Sequence, residues 1–243
     1  MAEAVLFAVI ASSALVIGGT IGAYWRAPTT FTGILLAFAS GSLIAALSFE
    51  LFPEAYHLGG AYRAGLGLLA GGAVFVVANA ALDRWVASDE ADQREKVKQG
   101  ASGGIGFALL AAVTLDGVPE NLALGVSLIE EASLTLLLAI FFSNLPESLV
   151  GAIAMRDEGR SPAFAIAIWA LCAVILAIAV LVGRAALGGV NDDVLAVCLA
   201  FAGGAVLASL ADTLMPEAFE HGKPWNSFAT AGGFFVSFMV ANA

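Results

Sequence analysis

Apolar runs of 18 or more residues recur along the whole chain, and no stretch between them is long enough to form a soluble domain. In lipid every backbone polar group must find a partner within the protein, which leaves helices and closed barrels as the only spanning structures. Runs of this length read as transmembrane helices. Composition agrees: of 243 residues, 12% are charged and 60% hydrophobic, with a mean hydropathy of +0.93. The expected fold is therefore an all-α integral membrane protein with a single transmembrane domain over 1–243.

Eight spans are expected, at about 3–25, 31–55, 62–84, 104–129, 133–155, 162–186, 191–217 and 225–243. The polar segment 86–100 reads as a solvated loop. Met1-Ala2-Glu3 lacks the basic start of a signal peptide, so the first span is expected to be retained. Connections after spans one, three, five and seven hold Arg26; Arg84, Arg94, Lys96 and Lys98; Arg156 and Arg160; and Lys223, which is 8 of the 10 basic residues. The alternate connections hold Arg63 and Arg184. The positive-inside rule then makes the chain a multi-pass cell-membrane protein with both termini extracellular. Trp25, Trp85 and Trp225 fall at span ends, as interfacial anchors do. Cys172 and Cys198 lie in separate spans without metal or redox spacing and read as small core residues.

Residues 36–55 (LAFASGSLIAALSFELFPEA) align without gaps to 199–218 (LAFAGGAVLASLADTLMPEA), with 11 of 20 positions identical. Under the charge count these copies run in opposite directions. The expected organisation is three spans (repeat 1, about 1–85), two central spans (about 104–155) and three spans (repeat 2, about 162–243). Inverted repeats place a substrate site near the bilayer midplane, on interrupted helices.

The central spans carry the chemistry. Asp116-Gly-Val-Pro-Glu-Asn is followed 27 residues later by Ser143-Asn-Leu-Pro-Glu-Ser. A carboxylate at the centre of a spanning helix costs roughly 3 kcal/mol on insertion scales and marks a functional site by default. Asp116 and Glu120 share one helical face, as do Asn144 and Glu147. Pro119 and Pro146 lack an N–H, so the carbonyls of Leu115 and Phe142 lose their usual donor. With the Ser143 hydroxyl, these groups form an all-oxygen donor set suited to a divalent cation. A Pro-Glu kink with a neutral, hydrogen-bonded glutamate is the structural alternative.

The paired Pro-Glu helices, the three-two-three repeat and the Pro-Glu-Ala ends resemble the ZIP (Zrt/Irt-like) divalent metal transporters. That family reads His-Asn-x-Pro-Glu in its fourth span and a related Pro-Glu motif in its fifth. The resemblance implies zinc transport toward the cytoplasm, with manganese or iron as other cargo, and metal contacts at Asp116, Gly117, Glu120, Ser143, Asn144 and Glu147. Both family histidines are replaced here, by Asp116 and Ser143; Gly117 offers no side chain, and 162–182 holds no acid. The oxygen-only set pulls toward harder ions such as manganese or magnesium. Family habit and the glycine-rich faces also imply a homodimer.

Outside the central pair, Glu50 and Asp212 are either gate or relay groups or carboxylates snorkelling from helix ends. Glu54 with His57, and Glu217 with Glu220 and His221, are either metal-collecting groups at the two mouths or solvated interfacial clusters. No nucleotide-binding motif, His-Glu-x-x-His or Gly-x-Ser-x-Gly occurs, so no enzyme, no required cofactor and no nucleic-acid partner is expected. An intramembrane metal-dependent enzyme and a non-transporting sensing or scaffold relative are the competing readings.

Overall fold

The computed structural model describes the backbone of residues 1–97, 105–129 and 132–242; the side chains of Asp83, 85–113 and Asp116 lie outside the description. Helices α1 (Ala2–Tyr24), α2 (Thr29–Ala46), α3 (Phe52–Val97), α4 (Ile105–Ser127), α5 (Leu134–Asp157), α6 (Pro162–Leu187), α7 (Asp192–Ser209), α8 (Met215–His221) and α9 (Asn226–Ala241) follow one another, with no strand among the described residues. Among the described residues five helical stretches are long and apolar enough to cross a bilayer: Ala2–Tyr24, Thr29–Leu82, Leu134–Asp157, Pro162–Leu187 and Asp192–His221. At 1.5 Å per residue the 23-residue α1 extends about 35 Å, enough for the hydrocarbon core. The expected last span is shorter, a 16-residue α9.

Two sequence expectations change. The segment expected as the loop 86–100 continues α3 as helical backbone to Val97. Its Ala, Glu, Gln, Arg and Lys residues are good helix formers, so their polarity marks where a helix leaves the apolar layer rather than where it ends. The second and third expected spans meet with almost no loop, because α3 is broken only at Gly60 (φ 72°, ψ 174°). That backbone is open to glycine and strained for other residues.

The duplicated sequence folds into duplicated structure. In each copy the helix widens into a π-turn, Leu47–Leu51 and Leu210–Leu214, directly ahead of Pro53 and Pro216. The Phe52 N–H reaches back to the Leu47 carbonyl and the Met215 N–H to the Leu210 carbonyl. A proline ring crowds the carbonyl four residues earlier, here Phe49 and Asp212, and a wider turn relieves that crowding.

Helix packing repeats in the same way. The backbone of α2 leaves no room for a Cβ at Gly41 against the Thr230 carbonyl of α9, and α7 leaves none at Gly204 against Leu68 of α3. Conversely, Gly233 sits on the Phe38 carbonyl and Gly71 on the Phe201 carbonyl. Gly41 and Phe38 align with Gly204 and Phe201 in the two copies. A second block joins α1 to α5 through Gly18 and Gly22, and α4 to α6 through Gly125 and Gly183. Small residues let helices approach until dispersion holds them, in a medium that offers no hydrophobic drive between helices. Among the described residues two exposed ion pairs close opposite ends: Arg26 with Asp157 at 2.5 Å, and Arg63 with Asp193 at 2.8 Å.

Candidate metal site

Pro119 and Pro146 both lie inside continuous helices, α4 and α5. Around them polar side chains gather in the protein interior. Glu120 is 4% exposed, Ser143 and Asn121 are fully buried, and Asn144 is 1% exposed. The Ser143 hydroxyl lies 3.0 Å from the Ile140 carbonyl and 3.4 Å from Glu120 Oε2, so α4 and α5 meet through two of the expected oxygen donors. Glu147 is half-buried and engaged with neighbouring groups. The Asp116 side chain, expected at the site, lies outside the described residues.

Asn144 makes a different first contact from the one its spacing implied. Its Nδ2 reaches the Ala11 carbonyl on α1 at 3.5 Å, and one turn on, Ser148 Oγ donates to the Asn144 carbonyl at 2.8 Å and approaches the Ala14 carbonyl at 3.4 Å. These contacts tie α5 to α1 beside the site. At Gly117 the space where a side chain would start is taken by Leu176 of α6, whose Cδ1 would stand 2.6 Å from a Cβ there. An apolar wall thus closes the α6 flank. No group of three or more His, Cys, Asp or Glu side chains converges among the described residues. The visible donors are one carboxylate, hydroxyls, amides and backbone carbonyls, which are hard oxygen ligands.

A cavity of about 300 Å³ opens where α4 ends and where α5 and α7 begin. Glu50, Glu54, Ser127 and Ser133 supply its polar lining, with Leu51, Val126, Leu195 and Leu199 between them. Of the outlying candidates, Glu50 and Glu54 therefore share one cavity. His57 is exposed and does not line it. Asp212 accepts a hydrogen bond from Asn79 Nδ2 at 3.1 Å on an exposed surface of α3 and the second π-turn, away from that cavity. Glu217 is half-buried near the opposite end, where Glu220 and His221 are exposed.

The sequence reading missed Asn121. Its signal was a polar residue in mid-span, directly after Glu120. Its Nδ2 donates to the Gly117 carbonyl at 2.8 Å.

These features define a multi-pass, helical membrane protein with a buried oxygen-rich seam between two proline-containing helices. The chain matches no protein-family model and no curated protein.

Proposed function

We propose that the chain carries divalent cations across the membrane through the seam between α4 and α5, as a ZIP-like transporter built from eight spans in a three-two-three inverted repeat. The observation that carries this reading is Glu120: a carboxylate buried to 4% exposure, inside a spanning helix, within reach of a hydroxyl on the neighbouring proline-containing helix. Structural needs alone rarely keep an acid at that depth, because an apolar residue there would be cheaper.

Support for the repeat comes from packing. Exchanging the first three spans for the last three, and α4 for α5, maps the α1–α5 contact onto α6–α4 and the α2–α9 contact onto α7–α3. The two ion pairs support alternating faces. Arg26 and Asp157 follow the first and fifth spans, while Arg63 and Asp193 follow the second and sixth. With the basic connections inside, the Glu50 cavity opens outward, and flux runs from that mouth past Glu120 and Glu147 to the cytoplasm. The membrane potential then contributes about 4.6 kcal/mol per 100 mV for an entering dication, twice the single-charge value.

Zinc, manganese and iron are the cargo ions to compare, and the oxygen ligands favour the harder ones. The test is uptake into proteoliposomes. Glu120→Gln and Glu147→Gln are expected to abolish saturable uptake while leaving the protein monodisperse in detergent. Uptake at the wild-type rate in both variants would overturn the proposal.

A further inference from the structure

Two buried oxygens in the middle of the molecule have no hydrogen-bond partner among the described residues: Asn121 Oδ1 and Ser12 Oγ. Both residues are almost wholly enclosed, at 0% and 4% exposure. An unsatisfied buried acceptor costs about 1–3 kcal/mol, so something in the working protein is expected to satisfy it.

The packing brings the two residues to within about one helical turn of each other in height. Helix α1 ends, and α6 begins, at the face closed by the Arg26–Asp157 pair, so the two helices are antiparallel. Gly19 of α1 rests on Trp169 of α6. Seven residues back along α1 is Ser12, and seven forward along α6 is Leu176, at the same height. Leu176 in turn sits at Gly117 of α4, one turn before Asn121. In height along the bundle, Ser12 therefore stands level with Leu176, and Asn121 about one helical turn, 5.4 Å, beyond it. The neighbouring Ala11 carbonyl receives Asn144 from the α5 side, and Glu120 adjoins Asn121 in the chain. The Asn121 amide is also oriented: its nitrogen is held on the Gly117 carbonyl, which leaves the oxygen as the open end.

We infer that Asn121 supplies a further oxygen ligand to a divalent cation held at Glu120, with Ser12 as the neutral oxygen beside it, and that this pair sets the preference for hard ions. The inference rests on the metal reading of Glu120. An amide oxygen ligates hard cations without adding charge, whereas zinc and softer ions gain less from it.

The experiment is equilibrium binding of Mn²⁺ and of Zn²⁺ to the purified full chain in detergent micelles, for wild type, Asn121→Leu, Asn121→Asp and Glu120→Gln. Asn121→Leu is expected to weaken Mn²⁺ binding about tenfold, the scale of losing one oriented partner at a metal site, and to change Zn²⁺ binding less. Asn121→Asp is expected to strengthen Mn²⁺ binding, and it carries the test if the leucine variant does not fold. A wild-type Mn²⁺/Zn²⁺ ratio in Asn121→Leu, or no gain in Asn121→Asp, overturns the inference while Glu120-dependent binding stands. Binding that is absent in wild type, or untouched by Glu120→Gln, removes the metal reading itself and this inference with it.

Discussion

Ser143 Oγ lies 3.4 Å from Glu120 Oε2, across the seam of two helices that each contain a proline. One hydroxyl proton serves both Glu120 and the Ile140 carbonyl, so the serine is held in place yet keeps lone pairs for a cation. It occupies the position where the resemblance to ZIP transporters would put a histidine. Its chemistry is hard oxygen rather than imidazole.

Ser143→Cys tests that assignment with little change in volume. A thiolate favours zinc and cadmium over manganese. The variant is expected to raise the zinc-to-manganese uptake ratio about tenfold or more in proteoliposomes, on the scale of single partners at metal sites. An unchanged ratio would remove Ser143 from the ion's path.

Adjacent glycines in α7 make opposite predictions. A Cβ at Gly204 would collide with the Leu68 carbonyl, which is backbone and cannot swing away. A Cβ at Gly203 would meet Leu47 Cδ2 at 3.5 Å, an ordinary contact. Gly204→Ala is therefore expected to destabilise by about 1–3 kcal/mol, in the range of overpacked cores, and Gly203→Ala to be near neutral. Thermal unfolding in detergent distinguishes them. Gly41→Ala, the counterpart of Gly204 in the first copy, is expected to follow Gly204→Ala.

The two ion pairs fix which connections share a face, and labelling can assign the faces. In a background lacking Cys172 and Cys198, cysteine at 63 or 193 is expected to react with an impermeant thiol reagent added outside cells. Cysteine at 26 or 157 is expected to react only after permeabilisation. The reverse pattern would invert the proposed direction of the Glu50 mouth. Because both pairs are about half exposed, breaking either is expected to change stability by less than about 1 kcal/mol.

Much of this was legible in the sequence, for identifiable reasons. Apolar run length marked the five membrane-length stretches among the described residues because lipid demands it, and the 36–55 and 199–218 copies fold alike because identical residues build identical helix contacts. Glu120 and Ser143 were both legible as candidate donors, but their approach across the seam was not, because spacing pairs residues only within one helix. The π-turns did not follow: Pro53 and Pro216 signal a disturbed turn but not whether a helix kinks or widens. The Asn144 contact with α1 depends on helix rotation, which period alone leaves free. Asp212 illustrates the same limit. It sits in the repeated span as Glu50 does, but one register step earlier in the alignment, and on a helix one step is about 100°. That rotation separates an acid lining a cavity from one bonded to Asn79 on the outer surface.

This difference between Glu50 and Asp212 yields the last prediction. Glu50 and Glu54 both line the cavity of about 300 Å³ at the mouth, with the Ser127 and Ser133 hydroxyls. Carboxylates around a concave opening raise the local cation concentration, an effect that salt screens over about 10 Å at 0.1 M. On the proposed route they would act on capture, whereas Glu120 would act on passage. The double variant Glu50→Gln, Glu54→Gln is thus expected to raise the KM for uptake severalfold, leave the maximal rate close to wild type, and flatten the dependence on ionic strength. Asp212→Asn, which keeps a hydrogen-bonding partner for Asn79 and lies outside the cavity, is expected to change neither constant. Uptake kinetics at low and high salt in the same liposomes read both outcomes. A fall in maximal rate with KM unchanged in the double variant would place Glu50 and Glu54 in the translocation step instead of the mouth.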